Sequence, residues 1–192
     1  MIMLYILIIL SCTSSYNNGD IQSYTPHENL VHVSLFSPRK PAKIAEWRFT
    51  PDIRVCDFAP VSRDRVSEAI KWWKDRGYEF GIITYGGIWG GCTSGSMHVG
   101  VITVSLSGQG YDFSSLGRTT IHHRDGQMLK AEIEVSQQTG NKDRILEHEI
   151  GHALGWDHFN KRGHILHPRW ESGGYLDDFV RNDYQRSDLE GD

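Results

Sequence analysis

The sequence predicts an α/β (α+β) domain in which strands and helices alternate along the chain, and three patterns carry that expectation. Leu129, Ala131, Ile133 and Val135 alternate with Lys130, Glu132 and Glu134, the period-two signature of a strand with one buried face. Val66, Ala69, Ile70 and Trp73 recur at helical spacing from about Ser62, with Gly77 as a stop. Ile145, Leu146, Ile150, Ala153 and Leu154 form the packing surface of a second helix that runs to about Leu154 from a cap at Asn141 or Asp143.

The remaining elements follow in chain order. Residues 2 to 10 are an apolar run too short for the roughly 20 residues that span a bilayer, so a signal peptide is expected. It ends in Leu10-Ser11-Cys12, which resembles a bacterial lipobox whose cysteine is lipidated, although no Lys or Arg precedes the run. Lipid-anchored or secreted, the domain is expected outside the cytoplasm, and a membrane is met only through that anchor. Residues 13–45 read as a polar tether, with one short strand at Leu30 to Leu35. The domain at 46–192 starts near Trp47, with Ile53-Arg54-Val55-Cys56 as a first strand. Tyr78 to Thr84 and His98 to Leu106 read as strands, and the glycine-rich run between them lacks the lysine and spacing of a phosphate-binding loop. Leu176, Phe179 and Val180 mark a last helix near Leu176 to Arg186.

Composition narrows the function. The net charge of -4 comes from interspersed acidic and basic residues, which excludes a basic nucleic-acid surface. Six tryptophans and eight tyrosines exclude a disordered chain. Setting Cys12 aside leaves Cys56 and Cys92, either one disulfide in an oxidising compartment or two buried thiols.

The chemistry concentrates at His148-Glu149-Ile150-Gly151-His152-Ala153-Leu154-Gly155-Trp156-Asp157-His158. Residues four apart share a helix face, so His148 and His152 can present two imidazoles to one ion. Glu149 projects roughly 100° around the axis from His148, within reach of a water at that ion. Gly155 can end the helix in a left-handed conformation and turn the chain back to deliver His158. Three histidines leave a fourth position open, the arrangement of a hydrolytic zinc site.

These eleven residues match H-E-x-x-H-x-x-G-x-x-H, and the chain resembles the metzincin metalloproteases, in particular the matrixins. The likeness continues into Leu166-His167-Pro168-Arg169-Trp170. Leu166 takes the place of the methionine in the turn under the metal, His167 departs from the pattern, and Pro168 fits it. Trp170 stands where the family has the aromatic wall of the S1′ pocket. Pro168 occupies the position at which some relatives carry a tyrosine ligand, so that ligand is absent. The resemblance implies a twisted mixed sheet, an active-site helix, a C-terminal helix and a smaller irregular part after Gly155, with the cleft between. It also implies one catalytic Zn2+ held by His148, His152 and His158, with Glu149 as general base of a monomeric endopeptidase acting on a peptide or protein substrate. The strand at Ala131 to Val135 is then the cleft edge, with Ala131 and Ile133 meeting substrate. No cysteine lies between Cys12 and the first domain strand, so latency through a propeptide cysteine is not expected.

Other histidines fit no metal pattern. His122-His123-Arg124-Asp125 could hold a second structural metal, but hydrogen-bonded or exposed histidines are the better reading. His164 and His167 rank below His158 as ligands, and Asp157 falls in register to support a ligand. A structural Ca2+ or second Zn2+ is left open without a ligand signature. The alternative function is a non-catalytic extracytoplasmic binding lipoprotein that keeps the zinc-protease fold, motivated by Leu166 and His167.

Overall fold

The computed structural model describes residues 21–26, 40–86, 92, 98–107 and 116–177. The readings for Cys12, for a strand at 30–35, for residues 87–91 and for the helix beyond Asp177 lie outside them. Among the described residues the chain is a mixed α/β structure with one mixed, twisted sheet of seven strands and two α-helices. The strands are β1 (Gln22–Tyr24), β2 (Glu46–Trp47), β3 (Asp52–Val55), β4 (Ile83–Tyr85), β5 (Val101–Leu106), β6 (Gly117–Arg124) and β7 (Gln127–Val135). The helices are α1 (Arg63–Lys74) and α2 (Ile145–Ala153).

The sheet runs β1-β6-β7-β5-β3-β4, and β2 pairs with the start of β7. β3, β4, β5 and β7 are mutually parallel, whereas β6 is antiparallel to β7 and β1. β6 and β7 form a hairpin closed by Asp125 (φ 51) and Gly126 (φ 75), the paired positive dihedrals of a two-residue turn that follows strand twist.

This order corrects the cleft edge. β7 is hydrogen-bonded on both sides: Ala131 lies beside Ile102 and Ile121, and Ile133 beside Val104 and Thr119. Ala131 and Ile133 are both 0% exposed, so neither can take up a substrate strand. Alternation reports which face of a strand is buried and is silent on its place in the sheet. On its side away from β7, β6 pairs with β1 at Ile121 to His123, and Thr25, just past β1, meets the Thr120 hydroxyl at 3.0 Å.

The inner face of the sheet and the two helices share one core, built around Ile53, Ile102, Val104, Ile121, Ile133, Trp73, Leu146 and Ile150. Ser62 caps α1, its hydroxyl accepting from the Arg65 amide at 3.1 Å. The expected cap of α2 is corrected. Asn141 accepts from the Ser62 amide at 2.8 Å and so serves the entry of α1, and Asp143 does not cap. Position N-cap of α2 falls to Arg144, in the left-handed region at φ 70 with no capping side chain. The strand expected at Tyr78 to Thr84 is confined to Ile83–Tyr85, and the one expected from His98 starts at Val101.

After α2 the chain is irregular, with one 3-10 turn at Trp170–Ser172. Leu176, expected in a helix, forms a parallel bridge with His164. The polar stretch before Trp47 is tied to this part: Ile44 N–H donates to Gly155 O at 2.7 Å and Asp157 N–H to Ala42 O at 2.9 Å.

Candidate metal centre

His148 and His152 sit one turn apart on α2, as their spacing requires. Gly155 has φ +95, and a Cβ there would lie 1.9 Å from Ala45 O, so only glycine allows the chain to turn at this point. The turn brings back His158. Asp157 fixes it: its Oδ1 accepts the His158 amide at 2.7 Å and the Tyr24 hydroxyl at 2.8 Å. Tyr24 comes from β1, so the N-terminal strand reaches the loop that carries the third histidine.

One ring nitrogen from each of His148, His152 and His158 lies within 4.8 Å of the others, and this is the one such group of three among the described residues. His148 Nδ1 is 2.7 Å from Ile165 O, and His152 Nδ1 is 2.7 Å from Trp156 O. Carbonyl oxygens only accept, so both Nδ1 atoms carry the proton and both Nε2 atoms present lone pairs. Those two Nε2 atoms stand 2.9 Å apart. Proton uptake does not relieve the repulsion: burial first, and His158 next, hold His148 down to about 3, while burial and both neighbouring histidines hold His152 well below its ordinary value. Converging lone pairs on neutral, oriented imidazoles suit a bound cation, and the donor set therefore fits a metal ion.

Glu149 is 5% exposed beside this group. Thr119 on β6 donates its hydroxyl to Glu149 Oε2 at 2.6 Å, a short charge-assisted bond that orients the carboxylate. Gly117 on the same strand leaves room for it, since a Cβ there would lie 2.7 Å from Glu149 Oε1 and 3.0 Å from its Cγ. Gly117 and Thr119 escape a reading of the motif alone. Asp125-Gly126 between two stretches rich in β-branched residues is the signal that would have placed them on a strand of the hairpin.

A cavity of about 260 Å³ opens from His148 and Glu149. Leu116, Gly117, Ile145, Ile165, Pro168 and Trp170 line it, together with Arg144 and Arg169. Pro168 and Trp170 thus share this cavity with His148 and Glu149. Leu166 is 0% exposed and packs under α2, its Cδ2 2.6 Å from where a Gly151 Cβ would stand. The turn position is filled by an apolar side chain of suitable size.

The remaining predicted residues divide clearly. Cys56 and Cys92 form a disulfide with Cα atoms 5.7 Å apart. His164 accepts the Leu166 amide on Nδ1 at 3.0 Å, and His167 Nδ1 accepts the Arg169 amide at 3.0 Å. His122 is 2.9 Å from Ser23 Oγ through Nδ1, with Glu132 Oε2 3.7 Å from its Nε2.

Neither a family model nor a curated protein sequence matches this chain.

Proposed function

We propose that the protein is an extracytoplasmic zinc endopeptidase of metzincin-like, matrixin-type architecture. One observation supports this above the rest: a buried carboxylate, Glu149, oriented by Thr119, stands beside three histidines that each bring a ring nitrogen within 4.8 Å of the others. Zinc held by His148, His152 and His158 would supply Lewis acidity and bring the pKa of a water down to about 7.

The chain's own residues account for the rest of the chemistry. Glu149 takes a proton from the attacking water and passes it to the leaving amine, the work of a positioned general base that then acts as acid. Thr119 keeps the carboxylate in place between those transfers. An extended peptide would lie along the cavity beside His148 and Glu149. The residue after the scissile bond then enters the cavity lined by Trp170 and Pro168. The Cys56–Cys92 disulfide supports an oxidising compartment.

The binding-lipoprotein alternative has less support, because a held carboxylate beside an open cavity has no evident use in a passive scaffold. Zinc-loaded protein incubated with a broad peptide library, read by mass spectrometry, separates the two. Cleavage abolished by a chelator and restored by zinc is expected. A loaded sample that cleaves no peptide would refute the proposal.

A further inference from the structure

Resting on the peptidase reading, we infer that the cavity beside Glu149 selects an acidic side chain, Glu above Asp, at the position just after the scissile bond, with Arg144 as its counter-charge.

The cavity lining combines apolar side chains with two arginines. Leu116, Ile145 and Ile165 line it with His148 and Glu149, and Arg144, also in the lining, lies four residues before His148, about one helical turn or ~6 Å along. The Arg144 guanidinium lies over the Trp170 ring at 4.6 Å and donates from Nη1 to Trp170 O at 3.1 Å. Gly173 clears space for it, since a Cβ there would stand 3.1 Å from that Nη1. A guanidinium carries five N–H donors in a planar fork, so a bond to one carbonyl leaves a pair that suits a carboxylate. Arg169 adds a second positive charge to the lining.

Three acidic groups stand nearby, the first being Glu149 in the lining itself, held by the Thr119 hydroxyl. Glu171 lines the cavity and is exposed, and Asp143 precedes Arg144. Among the described residues neither Glu171 nor Asp143 lies within ion-pair distance of Arg144 or Arg169. An apolar side chain would satisfy the walls and leave the guanidinium facing it. A glutamate satisfies both, its methylenes against Ile145 and Ile165 and its carboxylate on Arg144.

The placement of Arg144 runs against local preference. It has φ +70 without being glycine, and it puts a cation at the positive end of α2 where an Asp or Ser would cap. A residue so placed has its use in the cavity rather than in the helix.

The test separates this inference from the peptidase reading by using binding as well as turnover. Chelator-treated protein is titrated by calorimetry with the tripeptides Glu-Ala-Ala, Gln-Ala-Ala and Leu-Ala-Ala, which present the same side chains without needing hydrolysis. The Glu peptide should bind about ten- to a hundredfold more tightly than the Gln peptide. That ratio should vanish in Arg144→Asn, chosen because asparagine tolerates the left-handed backbone, and shrink in Arg169→Gln. In the zinc-loaded protein, matched substrates should show the same order in kcat/KM. Equal or tighter binding of the Leu peptide, no measurable binding of the Glu peptide, or a ratio unchanged in Arg144→Asn would overturn the inference. A loaded protein that cleaves nothing yet keeps the binding ratio would overturn the peptidase reading alone.

Discussion

Gly117→Ala probes the placement of Glu149 without touching a histidine. The backbone of Gly117 lies in an ordinary strand, so alanine brings no dihedral strain. Its Cβ would arrive 2.7 Å from Glu149 Oε1 and 3.0 Å from Cδ and Cγ. Such contacts extend down the side chain, so rotation of the carboxylate alone does not relieve them. Glu149 must swing, and the 2.6 Å bond from Thr119 is lost. A hydrogen bond to a charged group contributes about 1.5–3 kcal/mol, and a misplaced general base forfeits about 10²–10⁴ in rate. The expected outcome is a fall in kcat of about a hundredfold or more with KM near its original value. Zinc affinity should stay within about threefold, because His148 and His152 are oriented by Ile165 O and Trp156 O on other segments. The assay pairs hydrolysis of a quenched fluorescent peptide with zinc competition against a chromogenic chelator. Undiminished kcat in a folded, zinc-loaded Gly117→Ala protein would refute the assignment of Glu149 as the base held by β6.

Three further outcomes are expected. Tyr24→Phe removes the hydroxyl that donates to Asp157, so zinc should bind about tenfold more weakly while the fold persists; unchanged zinc competition would show that β1 does not position His158. Gly155→Ala places a Cβ 1.9 Å from Ala45 O at φ +95 and should cost more than about 3 kcal/mol in chemical denaturation; a stability change under about 1 kcal/mol would mean that the turn relaxes easily. Metal-free protein should lose stability on acidification. His148 is held down to about 3 when folded and titrates near 6.5 when unfolded, so its contribution is complete above about pH 6.5 and declines below it, by about 1.4 kcal/mol per pH unit towards pH 3. Buried His152, also held well below its ordinary value by burial and the neighbouring histidines, adds in the same direction. Equal urea midpoints for chelator-treated protein at pH 7 and pH 5 would contradict the lone-pair account of the site.

The parts of the molecule legible in the sequence are those fixed by local spacing. The cluster of His148, His152 and His158 follows from a four-residue helical repeat and a glycine turn, and α1 and the buried face of β7 follow from their periods. The illegible parts depend on order in space. β6 is illegible because Gly117 to Arg124 mixes glycine, threonine, histidine and arginine, so neither face shows a continuous apolar alternation. The interior position of Ala131 and Ile133 is illegible for a related reason, because a strand buried on one face has the same pattern whether it is central or at the rim. Tyr24 lies in a three-residue strand, too short for any period, yet reaches Asp157 across 133 residues. Arg144 was hidden by a correct general preference, since asparagine and aspartate nearby are better caps.

Glu149→Gln tests the central claim most directly. Glutamine keeps the volume and can still receive the Thr119 hydroxyl, but it cannot take a proton. The account predicts that the variant binds zinc at one equivalent with wild-type affinity and cleaves no peptide that the zinc-loaded wild type cleaves. Cleavage at the wild-type rate by zinc-loaded Glu149→Gln would contradict it.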